Sequence, residues 1–217
     1  MIRAIVSDFG GVLTTPLSGS FQGFADRSGV ELAALGQALA ALHERDGTNP
    51  LHELECGRLS ETAFVENLRA SLCELLGRDV ELAAFADTLW EGLVANEPMI
   101  SFMASLGADG YRMALLTNNV REWELRWRAL APIDDIFELV VDSAFVGVRK
   151  PDPEIYELAV AGLGVPAAEC LFIDDIEVNC IAAQEAGMAA VWFRDTDQAI
   201  ADVRAALARD GLDCSVV

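Results

Sequence analysis

The chain has 217 residues, 53% of them hydrophobic, which is enough material for one large domain or for a core with a small insert. Its formal net charge of −20 predicts an acidic surface that repels nucleic-acid phosphates and anionic lipids, so we exclude both as general partners. No uncharged apolar run approaches the ~18 residues of a membrane span. Asp8 interrupts the first apolar stretch, so no signal peptide is expected either.

The cysteines indicate a reducing compartment. They are odd in number and show no CxxC spacing, so we interpret them as reduced thiols of a cytoplasmic protein. They are Cys56, Cys73, Cys170, Cys180 and Cys214. With only two histidines and no ligand-spaced cysteines, no zinc site is expected. The pattern leaves the oligomeric state open.

The first predicted strand covers residues 2–7 and ends directly before Asp8. No convincing strand follows between about Ser18 and residue 93. Helical spacing of Leu, Ala, Val and Phe predicts helices there over residues 31–45, 61–76 and 81–93. Ser60 is a good N-cap for the middle helix, and Gly77 closes it. An all-helical insert with its own small core is therefore predicted.

Strands and helices alternate in the rest of the chain. Apolar runs predict strands over residues 113–116, 139–141, 171–173 and 189–193, and helical patterns cover residues 154–161, 178–186 and 199–208. This alternation predicts an α/β fold, a Rossmann-like doubly wound parallel sheet with helices on both faces. The nearly continuous apolar runs fit strands that are buried on both sides.

Polar residues cluster directly after the predicted strands, where open α/β sheets bind ligands. The clusters are Asp8 with Gly10 and Gly11, Thr117–Asn118, Lys150, and Asp174–Asp175. Each alone has a plain interpretation as a turn, a helix cap or a solvated loop charge. Asp134–Asp135 serves as a control, because this pair follows Pro132 rather than a strand and is expected to be only a loop or cap. Four clusters at four strand ends together favour a ligand site.

Four motifs carry a family resemblance: DFGGVLTT, LLTNN, RKPDPEIY and LFIDDIEVN. In this order they resemble the motifs of the haloacid dehalogenase superfamily, whose hydrolases mostly cleave phosphate esters. The stretch FIDDIEVNCIAAQEAGMAAVWFRDTD is similar to the N-terminal phosphatase domain of soluble epoxide hydrolase and to sugar-phosphate phosphatases. The insert resembles the superfamily's small helical cap, which implies an α/β core at residues 1–15 and 95–217 and a cap at residues 16–94.

The resemblance implies a nucleophile and a metal site. Asp8 would attack phosphorus and form an aspartyl phosphate. Asp8, Asp175 and the backbone carbonyl of Gly10 would bind Mg²⁺, which favours hard oxygen ligands and offsets the repulsion between a carboxylate and a phosphate. Asp174 would support these ligands from behind, and Asn179 would brace the loop that carries Asp175.

The resemblance also implies a phosphate site. The Thr117 hydroxyl and the Asn118 backbone amide would bind phosphoryl oxygens. Lys150 would be a fixed positive charge shared by Asp8 and the phosphate of a small phosphorylated metabolite.

Gly10 departs from the family pattern, which places a second aspartate there as general acid and base. The two glycines leave room for the backbone to approach a metal and a phosphate. The metal ligand survives because it is a backbone carbonyl, but the proton donor is missing. General acid–base help is worth roughly 10²–10⁴-fold in rate. The proton would then come from the cap or from the substrate, or the enzyme would prefer leaving groups that need none.

Three functions remain open. The leading one is a Mg²⁺-dependent phosphatase. A 2-haloacid dehalogenase, in which Asp8 attacks carbon without a metal, is disfavoured because Asp174 and Asp175 would repel an acidic substrate. A binding or regulatory protein that has lost turnover is supported only by Gly10.

The cap is expected to select the substrate. Its polar candidates are His43, Arg45, His52 and Arg58, each of which has a plain interpretation as a surface or capping residue. Trp123 and Trp127 lie one turn apart after the second motif, and we interpret them first as helix packing and second as an interface or pocket wall.

Overall fold

The computed structural model describes residues 1–16, 19, 23, 25, 28–82 and 85–212. Three predicted features lie outside these residues: the start of the strandless stretch at Ser18, residues 83–84 of a predicted cap helix, and Cys214. The other four cysteines carry free thiols, as predicted. Within the described part of the chain, no helix is both long and apolar enough to cross a membrane.

Five parallel strands form the central sheet. They are β1 (Ala4–Ser7), β2 (Arg112–Thr117), β3 (Leu139–Asp142), β4 (Cys170–Asp174) and β5 (Ala189–Trp192), in the spatial order β3-β2-β1-β4-β5. All four neighbouring pairs are parallel. Every predicted strand is present, with bounds that differ by at most two residues, and the predicted α/β fold class is confirmed.

The strand order reverses beside β1. The chain runs outward from β1 through β2 to β3 and then crosses to β4 and β5 on the other side. Open α/β sheets bind ligands in the crevice at such a switch point, outside the carboxyl ends of the strands. Ser7 at the end of β1 is aligned with Leu115 of β2 and Ile173 of β4. The residues after β1 and β4 therefore emerge side by side in this crevice.

Helices cover both faces of the sheet because side chains alternate along the buried strands. Ile5 of β1 belongs to one apolar cluster and Val6 to the other. The helices that contribute to the first cluster are Glu97–Ala108 and Thr196–Leu212, and those of the second are Pro153–Leu163 and Glu177–Glu185. The predicted helices over 154–161, 178–186 and 199–208 are thereby confirmed.

Further helices lie between β1 and β2 in the described part of the chain. They are Leu32–Asp46, Pro50–Glu55, Glu61–Leu76 and Phe85–Glu91. The helix Glu61–Leu76 has the predicted bounds, because the Ser60 side chain accepts a hydrogen bond from the Ala63 amide and Gly77 closes it in the left-handed conformation at φ 63°. The helix predicted over 81–93 is shorter in the structure, since it begins at Phe85 and ends at Glu91.

The cap helices enclose an apolar cluster of their own, which includes Leu35, Phe64 and Leu72. The chain segments that lead into and out of the cap run side by side, and Thr14 forms an antiparallel bridge with Ala95. The division into a core at 1–15 and 95–217 and a cap at 16–94 stays a prediction.

Short helical segments connect the larger elements. They are the 3₁₀ turns Arg121–Trp123 and Ala167–Glu169 and the helices Glu124–Arg128, Ile133–Ile136 and Ser143–Val146. The control pair Asp134–Asp135 lies within one of these helices, so its assignment to a loop or cap was wrong. Both residues are exposed and Asp134 pairs with Arg128, so the pair forms no ligand site.

Candidate active site

Asp8 and Gly11 form the turn that follows β1. Asp8 is buried, and its amide donates a hydrogen bond to the Ile173 carbonyl of β4, which fixes the turn against the neighbouring strand. Gly11 has φ 81°, whereas Gly10 is not among the glycines with positive φ. A Cβ at Gly11 would collide with the Asp175 carboxylate. Geometry therefore requires glycine at position 11, and the backbone at position 10 accepts other residues.

Lys150 joins two carboxylates in the interior of the site. Its ammonium nitrogen lies 2.7 Å from Oδ1 of Asp8 and 2.7 Å from Oδ2 of Asp174, and its side chain is 1% exposed. Lys150 is the only lysine of the chain. A compact ammonium fits between two carboxylates where the larger planar guanidinium of arginine would not.

Asn118 holds the backbone of Lys150 in place. The Asn118 side-chain oxygen accepts a hydrogen bond of 2.8 Å from the Lys150 amide, and its side-chain nitrogen donates one of 2.9 Å to the Lys150 carbonyl. This amide side chain therefore links the end of β2 to the loop that carries the lysine. The sequence analysis considered only the backbone amide of Asn118, whose role with the Thr117 hydroxyl in binding phosphoryl oxygens stays a prediction.

Both carboxylate oxygens of Asp174 accept hydrogen bonds from nearby groups of the same chain. Oδ1 accepts a hydrogen bond of 2.8 Å from the Ile176 amide, and the Asn179 side chain donates to both oxygens at 3.1 Å. Asn179 is itself fixed by Tyr156, whose hydroxyl donates to the Asn179 carbonyl at 2.9 Å. Ile176 and Asn179 therefore hold the Asp174 carboxylate while it contacts Lys150. The roles of Asp174 and Asn179 behind the metal ligands stay predictions.

Three carboxylates converge at the switch point. Asp8, Asp174 and Asp175 each offer one oxygen, and these oxygens lie within 4.8 Å of one another. When all three carboxylates are ionised, they and the one ammonium carry a local charge of −2 (three negative, one positive). Hard carboxylate oxygens and this charge fit a divalent cation such as Mg²⁺. Because Asp174 is already saturated by Lys150, Ile176 and Asn179, Asp8 and Asp175 are the side chains left to hold it.

Burial and neighbouring charges shift the pKa values of the ionisable side chains in the site. Burial raises the pKa of the Asp8 carboxyl to about 8, although the Lys150 ammonium opposes the rise. Burial, followed by the charge of Asp174, raises the pKa of Asp175 to about 6. Burial lowers the pKa of Lys150, but the charges of Asp174 and Asp8 outweigh it and raise this pKa overall. The lysine therefore stays charged, and a cation would complete the neutralisation.

A cavity of about 320 Å³ opens between the site and the cap helices. Its polar lining lies at the sheet, where Gly10, Thr14, Thr117, Asn118 and Asn119 contribute. The remaining lining is mostly apolar side chains of the cap, together with Glu55 of the cap and with Phe9, Val120 and Trp123 from outside it. The volume lies at the lower end of the ~300–1,000 Å³ that is usual for small-molecule sites.

The predicted polar candidates of the cap do not line this cavity. His43, Arg45, His52 and Arg58 are absent from its described lining. Arg45 pairs with its neighbour Asp46, and Arg58 pairs with Glu53, so both are surface ion pairs. For Arg45 and Arg58 the plain interpretation as surface residues therefore holds.

Glu55 is the cavity residue that the sequence analysis missed. Its carboxylate pairs with Arg149 at 2.6 Å, with both side chains 17% exposed. Burial raises the pKa of Glu55, and Arg149 opposes the rise. The Glu55 carbonyl also accepts a hydrogen bond from Ser143, whose hydroxyl in turn accepts one from the Asn119 amide. Glu55 therefore ties the cap to the loops that carry Lys150 and Asn118.

The two tryptophans after the second motif have different surroundings. Trp127 is fully buried and contacts Phe9 at a ring distance of 5.4 Å, which confirms helix packing. Trp123 lines the cavity, and its ring lies edge-on to Trp90 at 5.6 Å. The second interpretation, a pocket wall, thus holds for Trp123.

Comparison with known proteins places this geometry in a family. The family model of the haloacid dehalogenase-like hydrolases matches residues 2–187. The chain belongs to this family. As a haloacid dehalogenase-like hydrolase, it has its four motifs at the carboxyl ends of β1, β2 and β4 and in the loop after β3, where the side chains described above meet.

Several characterised proteins are similar to this hydrolase. It is 40% identical over 88 residues to glyceraldehyde 3-phosphate phosphatase of Pyrococcus abyssi, which covers 39% of this chain and 36% of that protein. It is 30% identical over 156 residues to flavin mononucleotide hydrolase 1 of Arabidopsis thaliana, which covers 70% of this chain and 59% of that protein. It is also 30% identical over 112 residues to bifunctional epoxide hydrolase 2 of Sus scrofa, which covers 50% of this chain and 20% of that protein. The chain thus spans less than two thirds of the length of each relative.

Solved structures share the fold. A HAD-like hydrolase of Porphyromonas gingivalis has a TM-score of 0.71 and 26% identity, with 95% of this chain and 98% of that chain covered. A HAD family enzyme of Bacteroides thetaiotaomicron in complex with magnesium and inorganic phosphate has a TM-score of 0.63 and 22% identity (88% and 94%). The L-2-haloacid dehalogenase RSc1362 has a TM-score of 0.65 and 24% identity, with 89% of this chain and 86% of that chain covered. Phosphate-binding and dehalogenase structures therefore fit the fold about equally well.

Proposed function

We propose that this hydrolase is a Mg²⁺-dependent phosphatase that acts on a small phosphorylated metabolite through an aspartyl phosphate on Asp8. The observation that carries the proposal is the buried pair of Asp8 and Lys150, 2.7 Å apart, at the switch point of the sheet. A nucleophilic carboxylate beside a fixed positive charge suits attack on an anionic phosphate. The net charge of −20 supports a small molecule as partner rather than nucleic acid or a membrane, in a cytoplasmic setting.

The donor set supports Mg²⁺ as the cofactor. Asp8, Asp175 and the backbone carbonyl of Gly10 would hold the ion, and Asp174 and Asn179 would orient the loop behind it. When bound, the ion offsets the repulsion between the carboxylate and the phosphate and stabilises the charge on the transferred phosphoryl group. Two of the relatives, a glyceraldehyde 3-phosphate phosphatase and a flavin mononucleotide hydrolase, support phosphate-ester chemistry.

The residues of the chain would act in two steps. Asp8 attacks phosphorus, so that a carboxylate oxygen–phosphorus bond forms while the phosphorus–oxygen bond to the alcohol breaks. The alcohol leaves with a proton taken from the cap or from the substrate, because Gly10 supplies none, and Lys150 keeps its positive charge beside the attacking oxygen. The Thr117 hydroxyl and the Asn118 amide bind the phosphoryl oxygens. Water then attacks the phosphorus, which releases inorganic phosphate and restores Asp8.

Hydrolysis of p-nitrophenyl phosphate is expected to require Mg²⁺, and 2-chloropropionate is expected to release no chloride. The reason is that Asp174 and Asp175 repel an acidic substrate unless a cation neutralises them. Nitrophenolate and chloride release are measured with Mg²⁺ and with a chelator. Chloride release without a metal would identify a dehalogenase, and the absence of both activities would identify a binding or regulatory protein.

Asp175→Asn is the matched control for the metal site. The thermal unfolding of this variant and of the wild type is measured with and without Mg²⁺. Mg²⁺ at about 100 times its dissociation constant would add about 2.7 kcal/mol to the free energy of unfolding of the wild type. Asp8 and Asp175 must be ionised to bind it, and their pKa values are raised to about 8 and about 6, so the stabilisation should grow as the pH rises through this range. Equal stabilisation of the variant would refute the metal assignment.

Gly10→Asp is expected to raise the hydrolysis of alkyl phosphates relative to that of p-nitrophenyl phosphate. An alkoxide needs a proton to leave, whereas p-nitrophenolate is a stable anion, and general acid help is worth roughly 10²–10⁴-fold. The backbone permits the change because Gly10 is not at positive φ, and Gly10 lies on the cavity wall. The measurement is the ratio of the alkyl rate to the aryl rate.

Gly10→Asn is the matched control, because it has the same size as aspartate and cannot act as an acid. We expect the ratio to rise at least tenfold for aspartate and to stay near the wild-type value for asparagine. A folded Gly10→Asp protein with an unchanged ratio would mean that the proton already comes from elsewhere.

A further inference from the structure

The cap cluster is not close-packed, because it surrounds the cavity of about 320 Å³ that reaches the catalytic turn. Protein interiors normally contain few voids larger than a water molecule. Apolar side chains of the cap cluster form the wall remote from the sheet, and they include Leu35, Leu54, Phe64, Leu68 and Leu89. The same cavity touches Gly10, Thr117 and Asn118, so a molecule whose phosphate lies at the catalytic turn would extend into this apolar space.

Charges are almost absent from this wall. Among the described lining residues Glu55 alone is charged, and its carboxylate is paired with Arg149 at 2.6 Å. A sugar or a second anionic group would therefore find neither unpaired cations nor a set of hydroxyl partners on the described cap side. Buried polar groups without partners are unfavourable, so the wall selects against such substrates.

We propose that the cavity binds the organic part of the substrate and that this part is an apolar alcohol, so that the substrate is the phosphate monoester of an apolar chain or ring rather than of a sugar. This inference rests on the proposed phosphatase function. The ester oxygen would lie at the sheet end of the cavity, beside Gly10 and Thr117, and the apolar group would contact the cap residues.

The aromatic wall of the cavity supports this substrate class. Trp90 and Trp123 stand edge-on at 84°, which presents ring surface to a ligand. Among the described residues neither indole nitrogen has a hydrogen-bond partner, although both are buried.

Gly36 provides a way to reduce the cavity without disturbing the fold. It lies on the cavity wall within the helix Leu32–Asp46, and a Cβ at this position would have no described atom within 4 Å. Replacement of a helical glycine also favours the helix. Because Gly36 is itself exposed, a phenylalanine at this position would stand at the rim of the cavity and narrow the opening through which the substrate enters. Ala33→Phe is the matched control, because Ala33 is exposed on the same helix and is absent from the described cavity lining.

The experiment compares kcat/KM for octyl phosphate with kcat/KM for glycerol 3-phosphate in the wild type, Gly36→Phe and Ala33→Phe. We expect the wild type to prefer octyl phosphate by roughly 100-fold, because the octyl chain of this substrate moves from water into the apolar cavity. Gly36→Phe should lower this preference by on the order of tenfold, as steric discrimination in apolar pockets does, and Ala33→Phe should not. Calorimetric titration with 1-octanol and with glycerol measures the same preference without turnover.

The outcomes separate this inference from the proposed function. An active phosphatase that treats both esters alike, or a wild type that does not bind 1-octanol, would overturn the apolar substrate class and leave the phosphatase standing. If no phosphate ester were hydrolysed while 1-octanol bound the wild type and bound Gly36→Phe more weakly, the phosphatase would be wrong and the apolar site would stand. Equal octanol affinity in the wild type and Gly36→Phe would place the ligand outside this cavity.

Discussion

Asp8→Asn is expected to lower the rate of phosphate-ester hydrolysis by roughly 10⁴-fold or more, as loss of a catalytic nucleophile does in other hydrolases. An amide has nearly the shape of the carboxylate but is a very poor nucleophile. The fold should persist, because Lys150 keeps its contact of 2.7 Å with Asp174. Since burial raises the pKa of Asp8 to about 8, removal of its charge should cost little stability in the metal-free protein.

Asp135→Asn is the matched control for this substitution. Asp135 is an exposed aspartate in the short helix Ile133–Ile136, remote from the carboxyl ends of the strands. Its replacement therefore shows the effect of an aspartate-to-asparagine change outside the candidate active site. Steady-state kinetics and circular dichroism are measured for both variants. Wild-type turnover in a folded Asp8→Asn protein would show that another group attacks the substrate.

The sheet was predictable because buried parallel strands leave a simple pattern. Each strand reads as a short apolar run, and polar residues follow it where the chain leaves the interior. Asp8, Thr117 and Asp174 could be predicted to meet because the carboxyl ends of parallel strands share one edge of the sheet. The family resemblance supplied the role of each residue, and the structure adds the contacts that hold Asp8, Lys150 and Asp174 together.

The cavity was not predictable, because the pattern of an amphipathic helix is the same whether its apolar face packs on a neighbour or lines a void. The apolar faces of the cap helices predict a small core, and Leu35 and Phe64 on these faces belong both to that core and to the cavity wall. Glu55 escaped notice because its partner Arg149 lies 94 residues away in the chain. Long-range pairs of this kind leave no local signal in a single sequence.

The two glycines after Asp8 illustrate a similar limit. Both could be expected to permit close approach of the backbone, but only the structure assigns positive φ to Gly11 and a collision of its Cβ with Asp175. A GG pair does not reveal which member is required. Gly10 is consequently the member of the pair whose backbone accepts a side chain, which is why Gly10→Asp is a usable experiment.

Lys150→Met is expected to lower the free energy of unfolding by about 3–5 kcal/mol at pH about 8 without Mg²⁺, the usual cost of removing one partner from a buried ion pair. The methionine side chain fills similar space, so the loss comes from leaving Asp8 and Asp174 without their shared cation. Urea denaturation measures the change. Turnover should also be lost, because no other described cation contacts Asp8.

Arg112→Met is the surface control, because Arg112 and Glu138 form an ion pair whose side chains are 44% and 45% exposed. Such a pair is worth about 0–1 kcal/mol.

The pH dependence of the stability of Lys150→Met separates the effect of the lost charge from the effect of lost packing. Unpaired buried carboxylates have raised pKa values, so they take up protons as the pH falls and the folded variant binds more protons than its unfolded chain. Its deficit should therefore shrink from pH about 8 to pH about 5. A deficit that is the same at both pH values would indicate a packing role for Lys150 instead of the electrostatic one.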